Sequence, residues 1–130
     1  MIPSLENGQP THEPAEPLVV VRVAGQADVD RLVDFGAILS EQNRGEKPDL
    51  TLLRHGIEKI LADPTAYHCQ YYLALQASEI VGQLLANWVW IESADGWNLV
   101  LRRAYVAPPH RRRGIFRTMV NEVLAQESSS

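Results

Sequence analysis

The chain has 130 residues, enough for one domain and scarcely for two. With 45% hydrophobic residues it can build a core, which excludes global disorder, and a formal net charge of −4 disfavours a general nucleic-acid or membrane-surface binder. The single cysteine, Cys69, excludes an internal disulfide, and neither it nor the four histidines shows metal-ligand spacing, so no metal is expected.

Residues 1–17 carry Pro3, Pro10, Pro14 and Pro17 among polar residues, a composition that predicts a flexible tail. They contain neither the basic nor the apolar segment of a secretory signal, and no run later in the chain approaches the roughly 18 apolar residues that span a bilayer. A soluble, cytoplasmic protein is expected. Leu18–Val23 ("LVVVRV") is short and β-branched, as a buried strand requires. In "DVDRLVDFGAILSEQ" Val29, Leu32, Val33, Gly36 and Leu39 fall on one helical face, with Asp28 and Asp30 at the end where negative charge suits the helix dipole. After the loop "NRGEKPD", residues Leu50, Leu53, Ile57, Ile60 and Leu61 mark a second helix that ends before Pro64. The period then changes. Gln70–Gln76 reads as a strand, "ASE" as a tight turn, Ile80–Glu92 as a longer strand, "SADGW" as another turn and Asn98–Val106 as the third strand of a meander. A helix with Phe116, Met119, Val120, Val123 and Leu124 on one side closes the chain, and 128–130 are expected to fray. The order β-α-α-β-β-β-α is an α+β layout, helices beside a mainly antiparallel sheet.

The chemistry concentrates in "AYVAPPHRRRGIFRTMV", Ala104 to Val120. Six of the twelve Lys and Arg residues lie between Arg102 and Arg117, and no Asp or Glu occurs from Gly96 to Asn121. An acidic protein therefore carries one positive patch where a strand ends and a helix begins. A helix N-terminus offers unpaired N–H groups and partial positive charge. Gly114 lets the backbone approach a bulky anion, and arginines add fork-shaped donors suited to phosphate. The combination favours a phosphate or pyrophosphate site over a merely solvated basic turn. It is neither a Walker loop nor a GxGxxG fold.

With its strand, short connection and Arg111-Arg112-Arg113-Gly114-Ile115-Phe116 leading into a helix, the segment resembles the acetyl-CoA signature Q/R-x-x-G-x-G/A of the GNAT superfamily of N-acetyltransferases. "AYVAPPH" is similar to the family's strand end, and "SEIVG" (Ser78 to Gly82) to its preceding hairpin. The resemblance runs from about Leu18 to Gln126, so 18–127 is expected to be one GNAT-like domain. It departs from the signature at Phe116, which is expected to pack the helix on the sheet. The resemblance implies an acetyl-CoA-dependent N-acetyltransferase acting on a primary amine. Backbone N–H groups from Arg112 to Phe116, with the charge of Arg111, Arg112 and Arg113, would hold the pyrophosphate of acetyl-CoA. Ala104, Tyr105 and Val106 would pair with the pantetheine arm like an added strand. A backbone N–H of that strand would polarise the thioester carbonyl.

In relatives a further strand, a helix often carrying a general-acid tyrosine, and two more strands follow; here "ESSS" follows Gln126. By this resemblance the chain is C-terminally truncated and lacks the usual C-terminal strands, one wall of the slot and the usual acid. Asn98–Val106 is then expected to have an exposed edge through which two copies pair, and catalysis to be weak or absent. The alternative is a non-catalytic CoA- or phosphate-binding remnant or self-associating module. An RNA contact has thin support in Tyr105 and Phe116.

No residue is assigned as catalytic. Glu92 and Asp95 are read as solvated turn carboxylates, His68 and Cys69 as strand-start packing residues, and Trp88 and Trp90 as core on one strand face. His55 falls on the second helix and His110 beside the basic turn. Glu41, Asn43 and Arg44 fall in the helix-to-helix loop that in relatives helps shape the acceptor site.

Overall fold

A computed structural model describes residues 18–128. The predicted tail at 1–17 therefore lies outside the described residues, as do Ser129 and Ser130. The elements are β1 (Val19–Val23), α1 (Val29–Arg44), α2 (Leu50–Ala62), a short α3 (Pro64–Tyr67), β2 (Cys69–Gln76), β3 (Glu79–Ile91), β4 (Gly96–Val106) and α4 (Ile115–Ser128). The strands form one four-stranded antiparallel sheet in the order β1-β2-β3-β4, so the predicted α+β layout is the observed one.

Strand alternation explains why β2 is apolar almost throughout. Tyr71 and Leu73 point to one face, Tyr72 and Ala74 to the other, and all four are buried. On the first face Leu32, Val33 and Ile57 bring α1 and α2 onto Tyr71, Leu73 and Leu85. On the second, Ile115, Met119 and Val123 of α4 pack on Tyr72, Ala74, Val81, Leu84 and Ala86. The sheet is thus the middle of three layers.

The joints are specific. Asp28, which precedes α1, accepts from Gly25 N–H at 2.8 Å and from both terminal nitrogens of Arg22 at 2.8 and 3.0 Å. The Arg22 guanidinium holds the Asp28 carboxyl below its ordinary pKa, against an opposing push from burial. Ala77 and Ser78 join β2 to β3 as a two-residue turn, both at positive φ, the twist a tight hairpin prefers. Gly45, at φ 75°, ends α1.

Several expectations are corrected. α1 extends to Arg44, so Glu41, Asn43 and Arg44 are helical and not in a loop. Residues 64–67, unassigned in sequence, form a helical turn capped by Asp63, whose carboxylate accepts from Ala66 N–H at 3.2 Å. Phe116 does not pack α4 on the sheet: it is 51% exposed, and Ile115, at 2%, takes that role. Trp90, expected in the core, is exposed and meets the ring of Trp97 edge-on.

Candidate functional site

The last residues of β4 carry a defect that shapes the site. Tyr105 opposes Gln83 and Arg102 opposes Leu85, so Arg103 and Ala104 together face Leu84 alone. This is a β-bulge, with Arg103 at φ 56°, and it re-aims the backbone where pairing breaks. Buried Gln83 braces it, its Nε2 donating to Arg103 O at 2.9 Å. The chain can approach closely here because residue 82 is glycine: a Cβ there would lie 2.9 Å from Tyr105 O. β4 is the last strand in the sheet order, so the side away from β3 is unpaired within the sheet.

Beyond β4, Pro108–His110 form a 3-10 turn, and Arg112 and Gly114, at φ 65° and 79°, swing the chain into α4. The first bond of α4 runs from Thr118 N–H to Gly114 O at 3.0 Å. The N–H groups of Ile115, Phe116 and Arg117 precede that bond and have no intrahelical acceptor. A Cβ on Gly114 would meet nothing within 4 Å, so the corner is open.

One cavity of about 540 Å³ joins the strand end to this helix start. Of the sequence-predicted residues, Ala104, Tyr105, Val106, Arg111, Arg112, Gly114, Ile115 and Phe116 line it; Arg113 shares the turn but is not on the wall. His110 and Arg117 line it too, although sequence reading did not place them in the site. Arg117 could have been found by spacing, because it stands one helical turn after Gly114. His110 Nδ1 is buried and, among the described residues, has no hydrogen-bond partner.

The arginines do different work. Arg111 turns back on its own strand: its Nε donates to Val106 O at 2.7 Å, and its guanidinium lies 5.3 Å from the centre of the Tyr105 ring. It braces the corner. Arg112 and Arg117 are exposed and line the cavity.

Other candidates fall elsewhere. Cys69 donates to Tyr67 O at 3.1 Å, and burial pushes its thiol pKa up, the opposite of what a nucleophile needs. Glu92 and Asp95 are exposed turn residues, as read from sequence, and His55 is exposed on α2. Burial likewise raises the Tyr71 hydroxyl, against the opposing pull of Arg103. Among the described residues, no helix is long and apolar enough to cross a membrane.

Residues 33–127 match the model of the acetyltransferase (GNAT) family. The chain belongs to that family. Among solved structures, this GNAT chain is similar to a possible acetyltransferase of Clostridium difficile 630, at 25% identity and a TM-score of 0.72, with 83% of this chain and 70% of that one covered. A predicted acetyltransferase from Clostridium acetobutylicum, solved with acetyl-CoA, shares 16% identity at a TM-score of 0.67 and covers 86% of this chain with 75% of its own. The ribosomal-protein-alanine N-acetyltransferase of Brucella melitensis biovar Abortus 2308 shares 16% identity at 0.64, covering 86% and 72%. The latter two show the fold alone. No curated protein matches the chain.

Proposed function

We propose that this GNAT-family chain binds acetyl-CoA at the strand-to-helix corner and transfers its acetyl group to a primary amine. The observation that carries the reading is the single cavity that runs from the unpaired edge of β4 to the open N-terminus of α4 between Arg112 and Arg117.

The residues present fit the group. The N–H groups of Ile115, Phe116 and Arg117 offer donors to a diphosphate, and Arg112 and Arg117 offer charge, with Arg113 nearby. Gly114 leaves room for close approach. Ala104, Tyr105 and Val106 lie on the β4 edge away from β3 and offer it to the amides of an extended arm, with Val106 O shared with Arg111. Phe116, held out of the core, presents an apolar ring to the same cavity. Acetyl-CoA supplies the activated acyl carbon when bound. Transfer forms a carbon–nitrogen bond and breaks the carbon–sulfur bond, and the proton lost by the amine leaves with the thiol. The bulge at Arg103 and Ala104 breaks the pairing with β3, and a backbone N–H of this strand would polarise the acyl carbonyl of bound acetyl-CoA. The protein contributes chiefly position, by holding both reactants in one cleft. A reducing, cytoplasmic setting fits the single free cysteine. The same β4 edge is a surface on which two copies can pair when it is not otherwise occupied. A monomer by light scattering across micromolar concentrations would overturn that pairing.

Calorimetric titration with acetyl-CoA tests the site. Gly114→Pro forces φ from +79° to about −65° and closes the corner. Micromolar binding is expected for the native chain, lost in Gly114→Pro and in the double variant Arg112→Ala/Arg117→Ala. No binding by the folded native chain overturns the reading. Time-dependent thiol release with a panel of amines then separates a transferase from a binding module.

A further inference from the structure

A second cavity, of about 820 Å³, lies at the opposite end of α4 and is walled by residues that the acetyl-CoA reading does not use. Among its polar lining residues is one carboxylate, Glu127, in the last turn of the helix. The carboxylate is held from two sides: Trp88 Nε1 donates to Oε1 at 2.6 Å, and the Tyr72 hydroxyl donates to Oε2. Both donors are neutral, and together they fix the orientation of the carboxylate. Burial and the adjoining Glu127 carboxylate push the Tyr72 hydroxyl well above its ordinary pKa, which keeps it a donor. The C-terminal end of a helix adds partial negative charge at the same place.

The other wall is aromatic. The ring of Trp97 is 4.7 Å from that of His68 and 5.6 Å from that of Trp90, yet Trp97 remains 47% exposed. The wall is built, not a loop tip. His68 is held at φ 55° between α3 and β2, its N–H donating to Thr65 O at 3.2 Å and its carbonyl accepting from Trp88 N–H at 2.8 Å. A non-glycine residue in this conformation is costly and persists where its surroundings over-determine it.

A fixed carboxylate beside aromatic rings is the chemistry that recognises an organic cation, through charge on one side and ring quadrupoles on the other. An anion would meet the carboxylate. A bare metal ion would find few ligands: among the described residues no group of three His, Cys, Asp or Glu side chains could hold one. We propose that this cavity binds an organic ammonium group, primary or quaternary, at a site separate from the strand-to-helix corner. The two sites are set apart by the 14 residues of α4, about 20 Å.

All three tryptophans of the chain, Trp88, Trp90 and Trp97, stand at this end, so intrinsic fluorescence reads it directly. The full chain is titrated with choline and, in parallel, with 3,3-dimethylbutan-1-ol, which has the same shape without the charge. A saturable change is expected with choline, and binding of the neutral analogue is expected to be roughly 10-fold weaker or worse. Glu127→Gln should weaken choline by a similar factor. Should that variant fail to fold by circular dichroism, Trp97→Leu decides, because its exposed side chain is dispensable for the core and Trp88 and Trp90 still report. It is expected to abolish the response. No saturable change with choline up to about 10 mM, an equal response to the neutral alcohol, or undiminished binding in Trp97→Leu would each overturn the proposal.

Discussion

The two ends of α4 make opposite kinds of surface from one helix. At the N-terminal end the helix has N–H groups without intrahelical acceptors, and Arg112 and Arg117 join them around a cavity that, among the described residues, has no carboxylate on its wall. At the C-terminal end a carboxylate faces a cavity walled by indole, phenol and imidazole. Each end adds side-chain charge of the same sign as the helix dipole there, so each reinforces a field the backbone already makes. Between them Met119 and Val123, with the buried side chain of Ile115, bind the helix to the sheet. The difference teaches that stability and recognition are carried by different turns of one element, and substitutions can separate them.

The largest effect is expected in the shared middle. Met119→Ala empties a fully buried position and should cost about 2–5 kcal/mol by urea unfolding, weakening both ends together. A loss confined to one end would break the idea of a common support. Gly82→Ala comes next, at about 1–3 kcal/mol, because its Cβ would press on Tyr105 O and the Met119 methyl. It should weaken acetyl-CoA binding and leave the choline response unchanged. Asp28 serves as a control that belongs to neither end. Its folded pKa is depressed, so its contribution is present above the unfolded value of about 3.9 and is lost as pH falls below that. Asp28→Asn should cost about 1 kcal/mol at neutral pH, discounted for the half-exposed Arg22, and flatten the fall in melting temperature below about pH 4. Trp88→Phe should cost about 1 kcal/mol by removing one donor from Glu127, and its signature is a weaker choline response with acetyl-CoA binding intact. The smallest effect on stability, within about 0.5 kcal/mol, is expected for Phe116→Ala, with affinity lost only at the anion end.

The sheet and its flanking helices were legible because their signals are local. The run "QYYLALQ" announces a strand buried on both faces, and the spacing of Leu32, Val33 and Gly36 a helix face. The corner was legible for the same reason, since strand, glycine and arginines are contiguous. What escaped depends on partners distant in sequence or on short geometry. Asp63 and Pro64 are a good helix start, but four residues are too few to show a period. Phe116 and Ile115 are equally apolar neighbours, and only the docking angle of α4 decides which is buried. The bond from Arg111 Nε to Val106 O, which turns the side chain back on its own strand, has no signal in the sequence. Glu127 meets Trp88 and Tyr72 across 39 and 55 residues, which no motif records.

The strand order carries one more consequence, for how the molecule comes apart. β2, β3 and β4 are consecutive hairpins, so their pairing closes short loops, whereas β1 returns to β2 only across both long helices. Loop-closure entropy makes that last pairing the costliest to form per contact and the first to open. Amide exchange should therefore be fastest along β1 and slowest along β2 and β3. The corner rests on β4 and the aromatic cavity on β2, β3 and β4, so both are anchored in the part of the sheet that opens last.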